Sequence, residues 1–233
     1  MRIALFGYGK MGKTIERLAI ERGHEIVAKI EKDTVYADIT TADVAIDFSI
    51  PTEAFANIKQ CFEAGVPIVC GTTGWLDQYD AALELCKEKE GGFIYASNYS
   101  LGVNLFFELN EQLAKMISKF DTYTVSMEEI HHTEKLDAPS GTAITLADGI
   151  IKNTTKNKWV QDVTNGPDEI PIVSKRIDKV PGTHSVAYNS IVDEIEIKHT
   201  AKNRDGFALG AIVAAEWLQD KKGVYTMKDV LGI

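Results

Sequence analysis

The chain of 233 residues has only three cysteines, Cys61, Cys70 and Cys86. An odd number at wide, irregular spacing excludes a disulfide framework and a cysteine-based zinc site, and leaves three small buried hydrophobes. No stretch approaches the ~20 consecutive apolar residues of a membrane span, so no membrane partner is expected. Positive charge is scarce: 25 Lys and Arg stand against 34 Asp and Glu, a formal net charge of −9. A nucleic-acid partner needs a concentrated basic surface and is therefore not expected. Low-complexity segments and internal repeats are missing too, and 45% hydrophobic with 25% charged residues is ordinary for a globular chain. The opening MRIALFGYGKMG turns to glycines before any cleavage-like segment, so it reads as no signal peptide and a cytoplasmic location is expected.

What is present is a regular alternation. Short apolar runs at 2–7, 25–31, 44–49, 67–74 and 93–98 predict buried strands, and helical patterns separate them at 10–23, 52–64 and 76–90. Strands alternating with helices imply right-handed crossovers and a parallel, doubly wound sheet. The strand ends of such a sheet build ligand sites. Gly7, Glu31, Asp47–Ser49, Gly71–Gly74 and Ala96–Tyr99 are therefore expected along one rim. After residue 99 the character changes. GVNLFFELNEQLAKMISKF predicts a long amphipathic helix, and TYTVSMEEI alternates in the manner of a strand with one partly polar face. Residues 153–170 read as an exposed excursion, HSVAYNS and EIEIKHTA as two further strands, and GFALGAIVAAEWLQDK as a strongly apolar helix. The expected fold is α/β, with residues 1–99 and 206–233 as a Rossmann-like, dinucleotide-binding lobe. Residues 100–205 read as an inserted α+β lobe.

GYGKMG supplies Gly7, Gly9 and Gly12, with Tyr8, Lys10 and Met11 between them. The first glycine permits a tight turn, the second a close backbone approach to a pyrophosphate, and the third helix-to-strand packing. The helix N-terminus then meets the phosphates. The pattern follows a strand and opens a helix, and Glu31 lies nineteen residues beyond Gly12 at the next strand end. Glu31 suits the ribose hydroxyls of NAD, whereas Lys32 suits the 2′-phosphate of NADP, so use of both NADH and NADPH is the expectation. GTTG, with Gly71, Thr72, Thr73 and Gly74, follows a buried strand and allows backbone to approach a flat ring; a plain turn explains it nearly as well.

EEIHHTEKLDAPSGTA, residues 128–143, gathers His131, His132 and Lys135 in an acidic chain. Were the strand before it to continue, the two histidines would point to opposite faces. Glu129 and Ile130 invert the apolar–polar pattern, so the strand is expected to end or bulge there, leaving both histidines able to reach one site. Histidine is the natural proton donor near neutrality, and Lys135 can hold a carboxylate or give a proton. Ser140 is an N-cap candidate after Pro139, which leaves the amides of Gly141 and Thr142 at a helix start as an anion site. Together they suggest a carboxylated substrate that needs protonation. No metal is expected, because adjacent histidines rarely face one ion and no further ligand is spaced to help. Two rivals remain at this level: a dinucleotide-dependent dehydrogenase of an amino or hydroxy acid, and a non-catalytic NAD(H)-sensing regulator.

GYGKMG, DFS before Pro51, GTTG, SNYSLGVN, HHTEKLDAPSGTA, VPGTH and FALGA occur in the order of one family. On these motifs the chain resembles the dihydrodipicolinate reductases, also called 4-hydroxy-tetrahydrodipicolinate reductases. The resemblance implies a Rossmann-like lobe, an inserted lobe that holds a small dicarboxylate and builds a homotetramer, and a final helix returning to the first lobe. It implies His131 as general acid–base, Lys135 as second catalytic residue, and His132, Ser140, Gly141 and Thr142 at the substrate. It also implies Gly71, Thr72, Thr73, Ala96, Ser97, Asn98 and Tyr99 around the nicotinamide half of the cofactor. The activity implied is NAD(P)H-dependent reduction of 4-hydroxy-tetrahydrodipicolinate in diaminopimelate and lysine biosynthesis.

Overall fold

The computed structural model describes residues 1–31, 38–164 and 166–233. They divide into two compact units, Met1–Leu101 with Asp205–Ile233, and Gly102–Arg204. The first begins with β1 (Arg2–Phe6), α1 (Lys10–Glu21), β2 (Glu25–Ile30), β3 (Val44–Asp47), α2 (Pro51–Glu63) and β4 (Ile68–Cys70). A 3-10 turn at Leu76–Gln78 leads into α3 (Tyr79–Glu88), and β5 (Gly92–Tyr95) follows. Then come α4 (Leu101–Ile117), β6 (Thr124–His131), α5 (Gly141–Asn153), β7 (Lys158–Gln161), β8 (Glu169–Arg176), β9 (Thr183–Asn189) and β10 (Glu194–Thr200). The chain closes with α6 (Asp205–Leu218), β11 (Gly223–Tyr225) and α7 (Met227–Leu231).

Among the described residues of the first unit, six strands pair in the order β11-β5-β4-β3-β1-β2, each neighbour parallel. Side chains alternate across a strand, so RIALF feeds two cores. Ile3 and Leu5 join Val44, Ile46, Val69 and Ile94 beneath α1 and α6, while Ala4 and Phe6 join Ala45, Ile68 and Phe93 beneath α2 and α3. Burial on both faces is why these strands are apolar throughout. Alanines and Gly210 keep α6 slim, and a Cβ at Gly210 would stand 1.7 Å from the Tyr99 carbonyl oxygen. The strand order reverses at β1, with β2 on one side and β3 on the other, which opens a crevice beyond their carboxyl ends.

In the second unit, five described strands pair as β10-β9-β6-β8-β7, with β6 antiparallel to β9 and parallel to β8. One face packs on α4 and α5 through Val125, Met127, Ile172, Val186, Leu113 and Leu146. Two expectations are corrected. Residues 153–170 are not wholly an excursion: β7 lies within them and β8 starts at Glu169. Pro171, opposite Val160, sits within β8 and interrupts its strand pattern. β6 also neither ends nor bulges at Glu129 but runs on to His131. β11 and α7 had no signal in the pattern, being three and five residues long.

Candidate active site

In the first unit, the crevice at the β1–β3 switch point is a cleft of about 470 Å³ lined by Gly7, Tyr8, Gly9, Glu31, Ser49 and Asn57, among others. That volume suits a small-molecule site. The three glycines of the turn answer to different demands. Gly7 has φ +82°, and a Cβ on it would meet the Phe48 carbonyl oxygen at 2.1 Å; a Cβ on Gly12 would meet Gly7 O at 2.2 Å. Among the described residues, nothing beyond its own chain neighbours and helix backbone lies within 4 Å of a Cβ at Gly9. Its smallness answers to no packing contact among the described residues, and α1 begins there with neither a side-chain cap nor an acidic residue in its first turn. Open space over uncapped amides at a positive helix end fits a pyrophosphate.

Around that cradle, Lys10 is exposed at the start of α1, Met11 packs on the core, and Gly12 is buried. Tyr8 donates its hydroxyl to Glu16, which also pairs with Lys29 at 2.5 Å. Glu31 is exposed just beyond β2, on the cleft wall. Lys32 lies outside the described residues. At the ends of β3 and β4, Asp47 is wholly buried and accepts from Thr72 Oγ1 (2.7 Å) and Asn57 Nδ2 (3.0 Å). Burial raises its pKa, with those hydrogen bonds opposing. Thr72 in turn accepts the Ser49 amide at 2.8 Å. The Thr72 hydroxyl therefore ties two loops together rather than facing the cleft. Tyr99 is likewise a core side chain, its hydroxyl 2.9 Å from Cys70 O and 3.1 Å from Ile94 O. Gly71 packs on the Phe48 ring, Ala96 is half-buried, Thr73 and Ser97 are exposed, and Asn98 accepts the Ser100 amide.

In the second unit the continued β6 settles the histidines. Val125, Met127, Glu129 and His131 are buried in alternation, and His132, half-buried, follows the strand. The inversion at Glu129 is thus a carboxylate set on the inward face. Its Oε1 accepts from the Ser140 amide (3.1 Å) and Arg176 Nη2 (3.0 Å), and its Oε2 lies 3.0 Å from His131 Nδ1. Burial pushes the Glu129 pKa up, but the polar groups of His131, Ser140, Ser174 and Arg176 around the carboxyl outweigh it and hold it well below the usual range. His184 packs edge-on against His131 with ring centroids 5.0 Å apart. Burial first, and the neighbouring His131 second, pull the His184 pKa down to about 4.

The helix start is built as its sequence suggests. Ser140 caps α5, its Oγ accepting from the Ala143 amide at 3.3 Å and standing 3.1 Å from His184 Nε2. Both polar groups of Ser140 are therefore engaged within the protein. The amides of Gly141 and Thr142, in the first turn, have no intrahelical acceptor. Lys135 Nζ holds both oxygens of Asp137 at 2.8 Å, and His132 Nε2 receives Arg204 Nη2 at 3.2 Å.

Glu129, Arg176 and His184 escaped the sequence reading. The period of two would have put Glu129 inward with Met127. Arg176 and His184 carry no local signal, since strand pairing alone sets His131 beside Arg176 and Glu129 beside His184. Glu129, His131 and His184 each bring one potential ligand atom within 4.8 Å of the others. The Arg176 guanidinium supplies positive charge at that carboxylate, and Ser140 Oγ stands within hydrogen-bond distance of His184 Nε2. Among the described residues no helix is long and apolar enough to cross a membrane.

Two family models match the chain: dihydrodipicolinate reductase, N-terminus, over residues 1–99, and dihydrodipicolinate reductase, C-terminus, over residues 102–231. A 4-hydroxy-tetrahydrodipicolinate reductase of Christiangramia forsetii is 57% identical, covering 99% of this chain and 98% of that protein. The dipicolinate-bound dihydrodipicolinate reductase of Paenisporosarcina sp. TG-14 superposes with a TM-score of 0.78 at 24% identity, over 97% of each chain. A probable dehydrogenase of Thermotoga maritima superposes at 0.57 with 10% identity, over 99% of this chain and 92% of that one. At those identities the two structures show a shared fold.

Proposed function

The chain belongs to the dihydrodipicolinate reductase family, and from that membership and the site we propose that it reduces 4-hydroxy-tetrahydrodipicolinate to tetrahydrodipicolinate, the 4-hydroxyl leaving as water and one hydride and one proton being added, for diaminopimelate and lysine biosynthesis. The observation that carries the reading is the buried Glu129–His131 pair, 3.0 Å apart, in the unit where α5 opens at Ser140 with first-turn amides that lack intrahelical acceptors. That combination offers a proton donor and an anion site, which a cyclic dicarboxylated imine needs.

Bound NADH or NADPH supplies the hydride. Gly7, Gly9 and the start of α1 hold its pyrophosphate, and Glu31 accepts from its ribose. Lys135 and the amides of Gly141 and Thr142 hold a substrate carboxylate, with His132 beside them. His131 protonates the enamine-like product left by hydride addition. Family membership also supports a cytoplasmic homotetramer, and Ile191 and Val192, almost fully exposed at the β9–β10 turn, suit burial against another subunit.

The test is a coupled assay that generates the substrate in place from pyruvate and aspartate semialdehyde, run separately with NADH and NADPH. Cofactor oxidation is expected, with dipicolinate competing; no oxidation with either cofactor refutes the assignment. Positioned acid catalysis contributes ~10²–10⁴-fold, so His131→Gln should lower kcat by about that factor with NADH affinity nearly unchanged. Lys135→Ala should damage both KM and kcat. Wild-type turnover in His131→Gln removes it as the proton donor.

A further inference from the structure

We propose that Glu129 is the positioning residue of the proton donor: clamped by Arg176 and the Ser140 amide, it keeps the proton of neutral His131 on Nδ1 and leaves Nε2 to exchange a proton with the substrate. The inference rests on His131 being that donor, as argued above.

Glu129 is fully buried, and an ionised carboxylate can only accept hydrogen bonds. Its Oε1 is taken by Arg176 Nη2 at 3.0 Å and the Ser140 amide at 3.1 Å, so Oε2 is the oxygen turned to the imidazole. At 3.0 Å from that oxygen, Nδ1 must carry hydrogen. The opposite tautomer would set a ring lone pair against a carboxylate lone pair in a buried, poorly screened place. The contact is an ion-pair approach rather than an in-line hydrogen bond, and Nδ1 has no other partner among the described residues. The far edge of the ring is kept clear by a residue with no side chain: a Cβ at Gly182 would stand 3.1 Å from Nε2 and 3.3 Å from Cδ2.

The groups around the pair come from four directions. β6 contributes Glu129, β8 Arg176 and β9 His184, while the loop after β6 carries Lys135 and Asp137. His184 Nε2 lies 3.8 Å from Oε2, so it competes weakly for the same oxygen. It is also engaged by Ser140 Oγ at 3.1 Å. Arg176 does a second task. Its Nε donates to Lys135 O (3.2 Å) and its Nη2 to Asp137 O (2.6 Å) as well as to Glu129. One guanidinium thus fixes both the carboxylate behind His131 and the backbone that presents Lys135.

The test begins with the wild-type protein, labelled with ¹⁵N and measured at a pH where His131 is neutral. The Nδ1-protonated tautomer is expected, and a dominant Nε2-protonated form overturns the proposal whether or not any variant folds. In Glu129→Gln, kcat should fall by about 10–100-fold, the usual effect of removing such an orienting partner. With the anion gone the imidazolium is less favoured, so the fall of kcat on raising pH should move to lower pH, with KM for NADH unchanged. Glu129→Asp, which keeps the charge, should restore the profile. A purely structural Glu129 would lower stability without moving tautomer or profile, and that result overturns the proposal. Wild-type turnover in His131→Gln would instead remove the reading beneath it.

Discussion

The glycine turn allows a prediction in which folding and binding separate. Gly7 and Gly12 are required by the protein's own backbone, with Cβ contacts of 2.1 Å and 2.2 Å, whereas a Cβ at Gly9 meets no other described residue within 4 Å beyond its own chain neighbours and helix backbone. Gly9 sits at φ −76°, which alanine adopts without left-handed strain. Gly9→Ala should therefore leave the fold intact or stabilise it by about 0.4–1 kcal/mol, because alanine has fewer unfolded conformations to lose. The added methyl would stand in the space assigned to the pyrophosphate. A tenfold or greater rise in the Kd for NADH is expected, a loss of at least ~1.4 kcal/mol. Gly12→Ala should do the reverse, with overpacking against Gly7 O lowering stability by about 1–3 kcal/mol. For a chain of this size that is about 2–4 °C of Tm per kcal/mol. Thermal melts and NADH fluorescence titrations on both variants make the comparison. Wild-type NADH affinity in Gly9→Ala would refute the placement of the pyrophosphate, and a large drop in its Tm would refute the steric argument.

Two further outcomes follow from burial. Gly210→Ala puts a methyl 1.7 Å from the Tyr99 carbonyl oxygen and must shift α6, so Tm should fall by several degrees; an unchanged melt would show that α6 moves freely. His184 is neutral in the fold, its pKa of about 4 lying below the ~6.5 of an unfolded histidine. Its contribution is fully present above about pH 6.5 and is lost as pH falls toward 4, on the order of 3 kcal/mol in all at 1.36 kcal/mol per unit. Glu129, depressed below the ordinary ~4.3 of glutamate, withdraws its own contribution only below that value. Denaturant unfolding from pH 7 to 4.5 should thus weaken in wild type and stay flatter in His184→Asn; parallel curves would refute the assignment.

Much of the first sheet was legible in the sequence because its strands are buried on both faces and so appear as unbroken apolar runs. The helix start at Ser140 was legible from a capping residue and a proline. β8 was not, since its pattern is interrupted by Pro171 and its partners β6 and β7 are supplied by the fold. The role of Glu129 was misjudged for a related reason. A charged residue on an inward position reads as the end of a strand unless its counter-charge is known, and Arg176 lies 47 residues away.

By itself the sequence determined the local conformations, through periodicity, glycine placement and capping, and it marked His131, Lys135 and Ser-Gly-Thr as chemistry out of keeping with an acidic chain. The tertiary structure alone decided how that chemistry is arranged. Strand register sets Glu129 behind His131 and lays Arg176 and His184 alongside, so a buried carboxylate oxygen faces His131 Nδ1 at 3.0 Å. No pattern within a strand encodes that, because the pairing of β6 with β8 and β9 joins residues far apart in the chain.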